Sequence, residues 1–448
     1  MKTSFNSNSV RLRSSAASFA IGLALISTPA LAQDNAAPAD EAKTEEIVVT
    51  GSLIKDPNLT QSTPVLATTA DEMELRQSNV AEEVLREIPG VVPNIGSAVN
   101  NGNGGASYVD LRGLGSNRNI ALLDGDRIAP SGLRGVFDLN NVPLALVDRV
   151  DVLTGGAVTT YGADAIAGVV NFVTKRDFAG VEFSATEAVN QKGDGNALRT
   201  DLTIGANFDD GRGNAVLSVG YQNSDPVYQG DRDFSVNNYD SFTGTLGGSG
   251  TTTPSRFTLG AVNRQINPAT GLLQSGFNAF NFNPYNIFHT PFTRYNMYAS
   301  ARYEVSDNVE IYSRGLFSKN SVKTIIAPSG VFASSVIIPV SNPYLPLGAA
   351  NQFCAANDFN PSVAGIQTIS AAECAAARLA TSKADPNYRE FSTVLRRRFT
   401  ETGPRTSDYE TTVFDYKIGA RGAISESIDW DVHGSYGQSE NIETRGGY

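Results

Sequence analysis

The most concentrated ionic chemistry in the sequence is a group of five charged residues, Arg112, Arg118, Asp124, Asp126 and Arg127, set among the turn formers Gly113 and Gly125. Carboxylates beside arginines could serve acid–base work, and two aspartates two positions apart could open a calcium loop. The calcium-loop spacing fails, because its ligands must continue to a Glu at position twelve. The group reads better as ion pairs inside a domain or between domains, which carry little net stability. Asn101-Gly102-Asn103-Gly104-Gly105 invites a phosphate-loop reading, but no Lys-Ser/Thr follows it. His289 and His433 are the only histidines, which leaves almost no raw material for a histidine metal centre or a Ser-His-Asp triad. The chain is therefore expected not to be an enzyme and to need no cofactor or metal.

The other candidate for chemistry binds rather than reacts. Glu46-Ile47-Val48-Val49-Thr50 sets three β-branched residues and a Thr in a row, which suits a strand. It sits in an Ala/Pro/Asp/Glu-rich tail with no neighbouring turn or partner strand. It is either the first edge of a domain or a handle for another protein. Before it, Lys2, Arg11 and Arg13, an apolar run from Ala16 to Ile26, and Ala30-Leu31-Ala32 have the order of a secretory signal. The expected divisions are a signal over 1–32 and a largely disordered tail over 33–58. The net charge of −11 becomes −14 once the signal's three cations are removed, which excludes a general nucleic-acid binder. In an oxidising compartment Cys354 and Cys374, with no C-x-x-C and no nearby His, favour a disulfide over a redox or zinc role.

Two helix starts follow the tail, Thr69-Ala70-Asp71-Glu72 and Asn79-Val80-Ala81-Glu82, each with a capping residue and an acid three positions on. Val80, Val84, Leu85 and Ile88 share one face of the second. Short strands are expected at 120–123, 147–153 and 169–175, joined by Gly-rich turns. The blocks "EIPGVVP", "DLRGLGSNRNIALLDGDRI", "VDRVDVLTGGAVTTYGADAIAGVVNFVTKR" and "EEIVVTGS" together resemble the plug domain and TonB box of TonB-dependent outer-membrane receptors. That resemblance covers roughly residues 45–176 and implies an α+β plug over 59–177 inside an antiparallel transmembrane β-barrel. It also implies energy-coupled uptake of a scarce or bulky solute across a Gram-negative outer membrane. The partners it implies are TonB, which would pair with Ile47 to Thr50, the outer-membrane lipid, and an unidentified small-molecule, siderophore or oligosaccharide ligand. Arg112, Gly113, Arg118, Asp124, Gly125, Arg127, Tyr161, Gly162, Gly168 and Asn171 become plug-motif or plug–barrel residues, and 101–105 an external plug loop. With about thirteen residues between the signal and the box, an N-terminal signalling domain is not expected.

Beyond Phe178 the pattern can be tested without the resemblance. Leu198, Thr200, Leu202, Ile204, Ala206 and Phe208 alternate with Arg199, Asp201, Thr203 and Asn207, and Tyr295 to Val305, Phe414 to Ala420 and Ile428 to Tyr436 alternate likewise. Weaker examples at 181–189, 215–221 and 309–317 bring the expectation to about seven strands. Alternation alone also fits a soluble sandwich. The connections discriminate better, because three are short on one side while those near 225–291 and 321–407 are long on the other, as in outer-membrane barrels. Aromatics near strand ends, Phe208, Tyr221, Tyr295, Tyr303 and Trp430, fit interfacial girdles. Seven strands cannot close a membrane barrel, whose open edge would strand backbone groups in hydrocarbon. The family's barrels have twenty-two, so the expectation is an N-terminal part of a larger wall, with 441–447 not a lipid-facing strand. A passive plugged barrel, porin- or adhesin-like, and a secreted β-rich hydrolase are the competing readings.

Overall fold

The computed structural model describes residues 65–76, 80–92, 106–133, 135–155, 157–259, 262–425 and 428–448. All belong to one unit, Val49–Tyr448. The expected signal, the tail with Glu46 to Thr50, and Asn101 to Gly105 lie outside the described residues.

The N-terminal domain is a mixed four-stranded sheet with short helices. In chain order it contains β1 (Val65–Thr69), α1 (Ala70–Arg76), α2 (Ala81–Arg86), β2 (Asn119–Leu123), β3 (Val147–Thr154), α3 (Val158–Tyr161) and β4 (Gly168–Thr174). The strand order is β1-β3-β4-β2, with β2 and β4 parallel and the other pairs antiparallel. Because β2 is buried along its whole length, it is a continuous apolar run rather than an alternating one. Leu85, Leu111, Leu123, Val150, Val170 and Phe172 meet in the core, each large side chain contributing roughly 1.5–3 kcal/mol of burial. Thr69 and Glu72 exchange reciprocal bonds at the start of α1, as a capping box should. At α2 the expectation needs correcting. Its N-cap is Val80, one residue later than Asn79, and no side chain caps it. Packing of Val80, Val84, Leu85 and Ile88 holds that helix instead.

A seven-stranded antiparallel sheet curves past this domain as a wall. It opens with β5 (Gly180–Ala188), β6 (Ala197–Phe208) and β7 (Gly213–Ser224). The chain then leaves through β8 (Val227–Tyr228), β9 (Arg256–Leu259), β10 (Val262–Ile266), β11 (Leu273–Ser275) and β12 (Ile287–His289) and returns as β13 (Phe292–Ser306) and β14 (Val309–Ile326). A second excursion through β15 (Gly330–Pro339), α4 (Leu347–Ala356), α5 (Ala371–Arg378) and β16 (Glu390–Arg398) precedes β17 (Arg405–Ser425) and β18 (Ile428–Gly446). Wall order is β18-β17-β14-β13-β7-β6-β5, so strands that are successive along the wall are neighbours.

The wall is apolar outside and polar inside. Phe183, Ile204, Met297, Ile311, Phe317 and Ile418 are exposed, while Asp201, Arg294, Arg314, Asp415 and Lys417 are buried. Water would favour the reverse arrangement, whereas lipid outside and a polar domain inside require this one. Phe208 stacks on Tyr303 and Tyr221 meets Tyr295, with ring centroids 6.0 and 5.3 Å apart. Tyr295 and Tyr303 stand eight residues apart on β13, about 27 Å along an extended strand, near the ~25 Å height of an outer-membrane apolar band.

Two strand boundaries differ from expectation. The second long connection does not begin at 321 or end at 407, because β14 and β17 pair out to Ile326 and Arg405. Residues 441–446 continue β18, with Asn441 opposite Thr411 and Arg445 opposite Ser407. Past the apolar band the ladder needs no greasy face. Polar partners such as Asn441 Nδ2 to Thr411 Oγ1, at 2.6 Å, suffice there, so an alternation test does not detect this stretch.

The two excursions are not independent loops. They join in one five-stranded sheet, β11-β10-β9-β16-β15, where β9 of the first pairs with β16 of the second. Phe257, Leu273, Phe353, Phe391 and Ala377 form its core against α4 and α5, and the Cys354–Cys374 disulfide joins the two helices.

Candidate functional site

The site that the fold builds is the contact between the N-terminal domain and the wall. At its centre is the Asp124-Gly125 turn after β2. Leu123 and Asp126 exchange backbone hydrogen bonds of 3.0 Å in both directions, and Asp124 and Gly125 both have positive φ, 52° and 80°. This is the two-residue turn that Asp-Gly favours. It directs Asp126 at the wall, where its carboxylate accepts from Lys417 Nζ at 2.7 Å and from Arg314 Nη1 at 3.3 Å. Arg314 also donates to the Leu123 carbonyl at 3.0 Å and to Asp415 at 3.2 Å. The other Asp415 oxygen accepts from the Ala129 amide at 3.2 Å.

Arg314 and Lys417 are register partners on β14 and β17. Like charges directly opposite on neighbouring strands repel, and here both are nearly buried. Asp126 stands between them, so the domain neutralises a cation pair that the wall cannot fully neutralise with Asp415 alone. A second ionic group ties down the domain's exit. Glu310 accepts from Arg176 and Arg421, each at 2.7 Å, and Asp177 pairs with Arg302. Asp124 accepts from the Thr174 amide at 2.8 Å and from Tyr298 Oη at 3.3 Å. Among the described residues, Val216, Tyr298, Leu316 and Val413 of the wall join the domain's apolar core, and Phe292 and Val322 pack on Val80. Ion pairs and hydrogen bonds therefore share the contact with these apolar side chains.

One carboxyl is kept from water with no ion pair among the described residues. Asp138 is buried and one of its oxygens accepts from the Ser107 and Asn140 amides at 2.9 and 3.0 Å. Its other oxygen has no hydrogen-bond partner among the described residues. Burial pushes this carboxyl up to about 6, against the opposing pull of those amides and the charge of Arg294.

The residues expected from sequence fall into separate places. Arg127 pairs with Asp164 at 2.8 Å and donates to the Tyr161 carbonyl at 2.9 Å, beside Gly162. Asn171 accepts from the Gly125 amide at 2.9 Å and so steadies the turn. Gly168 opens β4 where a Cβ would lie 2.3 Å from the Leu153 carbonyl oxygen. Arg112 and Arg118 depart from the ion-pair expectation. Arg112 lies on a corner with φ 61° beside Gly113, Arg118 donates to the Leu114 carbonyl, and both are exposed with no carboxylate partner among the described residues. The wall side of the contact, Glu310, Arg314, Asp415 and Lys417, was not singled out by sequence reasoning. The available signal was charge on the inward positions of spanning strands, which needs a reason to be there. Among the described residues no group of three or more His, Cys, Asp or Glu could hold a metal.

Residues 57–169 match the family described as TonB-dependent Receptor Plug Domain. Among solved structures, a variant of the ferric enterobactin receptor PfeA from Pseudomonas aeruginosa is similar at 14% identity and TM-score 0.40, over 85% of this chain and 55% of that one. The siderophore receptor PirA from Pseudomonas aeruginosa matches at 13% and 0.38, over 86% and 52%. The ferric preacinetobactin receptor BauA from Acinetobacter baumannii matches at 12% and 0.38, over 86% and 48%. The chain thus spans about half the length of these receptors.

Proposed function

We propose, for a chain that carries a TonB-dependent receptor plug domain over residues 57–169, that the full-length protein is an energy-coupled receptor importing a scarce or bulky solute across a Gram-negative outer membrane. In this reading 1–32 is a signal, 33–58 a periplasmic tail, 59–177 the plug, and 178–448 the first part of the barrel with outward-facing excursions. Ile47 to Thr50 is the handle, pairing by strand addition to an edge of TonB, where backbone hydrogen bonds supply affinity. No catalytic step is involved.

The observation that carries the reading is the ionic character of the plug–wall contact around Asp126, Arg314 and Lys417. Ion pairs hold position without contributing much net stability, because desolvation offsets most of their attraction. A plug that must stay seated at rest and shift on demand suits that balance better than an apolar seal would.

A passive plugged barrel is the competing reading. Deleting residues 46–50 from the full-length protein separates the two. Loss of uptake with unchanged surface levels is expected, and uptake that survives the deletion would rule out TonB coupling.

A further inference from the structure

The layer built by the two excursions holds three arginines that no carboxylate answers among the described residues. Arg256 on β9 and Arg396 on β16 are register partners, so their side chains stand on one face. Arg398 lies two residues further along β16 and shares that face. Their partners are neutral. Arg256 donates to the Gly250 carbonyl at 3.1 Å, Arg396 to Asn263 Oδ1 at 3.1 Å, and Arg398 to the Pro328 carbonyl at 2.7 Å and to Ser249 Oγ at 2.8 Å. None of the three forms an ion pair among the described residues. Arg397, on the opposite face, does so with Glu401 at 2.7 Å.

Other features mark the cluster as electrostatically unfinished. The Nε atoms of Arg256 and Arg398 are buried without an acceptor. Arg256 lies 3.6 Å from the Phe277 ring centroid, and Arg398 lies about equally far from Phe280 and Phe332, at 5.0 and 5.1 Å. Burial, then the neighbouring Arg396 charge, holds the Arg256 guanidinium below the usual arginine range, and burial with Arg405 does the same to Arg398. Cross-strand like charges repel, and arginines brought together in an apolar setting attract an oxyanion, carboxylate or phosphate, that accepts paired N–H bonds. Phe277, against Arg256, and Phe332, against Arg398, remain exposed.

We propose that Arg256 and Arg396, backed by the buried Arg398, form a binding site for a soluble polyanion bearing carboxylate or phosphate oxygens. That this polyanion is the imported solute rests on the receptor reading above, whereas its binding does not. The test is therefore equilibrium binding to the purified full-length protein in detergent, with inorganic pyrophosphate as the probe. Calorimetry at low ionic strength should show saturable binding with Kd below about 1 mM. Arg256→Gln with Arg396→Gln should raise Kd at least about tenfold. Arg256→Lys with Arg396→Lys keeps charge but loses the guanidinium fork, and should fall between the two. Arg397→Gln, on the other face, should stay within about twofold of the parent. Absence of saturable binding, or equal weakening by Arg397→Gln, overturns the proposal. Binding of phosphorylated lipid A micelles without binding of pyrophosphate also overturns it, and assigns the arginines to the outer leaflet. Uptake that fails while pyrophosphate binding persists counts against the receptor reading alone.

Discussion

Asp126 carries more than its share of the contact, because it is the plug's answer to two nearly buried wall cations. Asp126→Asn leaves Arg314 and Lys417 facing each other with Asp415 as the ion-pair partner of Arg314. The expected loss is roughly 2–4 kcal/mol, below the full cost of breaking a buried pair, since the Asp126 side chain is 28% exposed. Denaturant unfolding of the full-length protein measures it, and adding Lys417→Met should recover part of the loss. Asp138 gives a separate prediction. Its carboxyl titrates near 6 folded, against 3.8 as the ordinary value, so the folded state holds the proton more tightly. Its stabilising contribution is then fully present below pH 3.8 and is lost as pH rises through about 6. Asp138→Asn should flatten that dependence by about 2–3 kcal/mol between pH 4 and pH 7, read from denaturant titrations at a series of pH values. Sequence made the Asp124-Gly125 turn legible, because turn chemistry is local. It could not reveal that Asp126 meets Lys417, since those residues are 291 positions apart.

Strands were readable wherever an exposed apolar face alternates with a polar face turned to the plug. In β6, β13 and β17 the alternation of large apolar and polar residues is enforced by two unlike surroundings. Where the strands rise past the apolar band, that enforcement ends, and 321–326 and 441–446 read as loop or irregular sequence. The helices show the same dependence on surroundings. α5 carries the Ser370 and Glu373 capping box in full, yet it was read as part of a long connection because its apolar face is supplied by small residues around Cys374. The disulfide adds a testable term. Joining residues 20 apart should stabilise the layer by about 3 kcal/mol through loop closure. Cys354→Ser with Cys374→Ser should therefore raise hydrogen exchange in α4, α5 and β16 while leaving β13 and β14 unchanged.

The whole molecule combines a locally connected wall with two structures that are not local. Each wall strand pairs with the next one in the chain, and only the excursions interrupt the order. Both of these structures, the seated plug and the arginine-bearing layer, depend on partners far downstream. The layer joins Thr393 to Thr258 across 135 positions. These long-range joints were illegible for one reason: a sequence pattern states what surroundings a residue needs and not which residue supplies them. The β9–β16 joint has a consequence for timing. Closing a long loop is slow because chain entropy must be lost before any contact repays it. The chain can thus lay down its wall in order of synthesis, yet neither plug nor layer can lock until β16 and β17 have been made. For that whole interval Arg314 on β14 would lack its β17 partner Asp415. Pulse-labelled hydrogen exchange should find β2 and β9 protected no earlier than β17, which makes the seating of the plug one of the last steps of assembly.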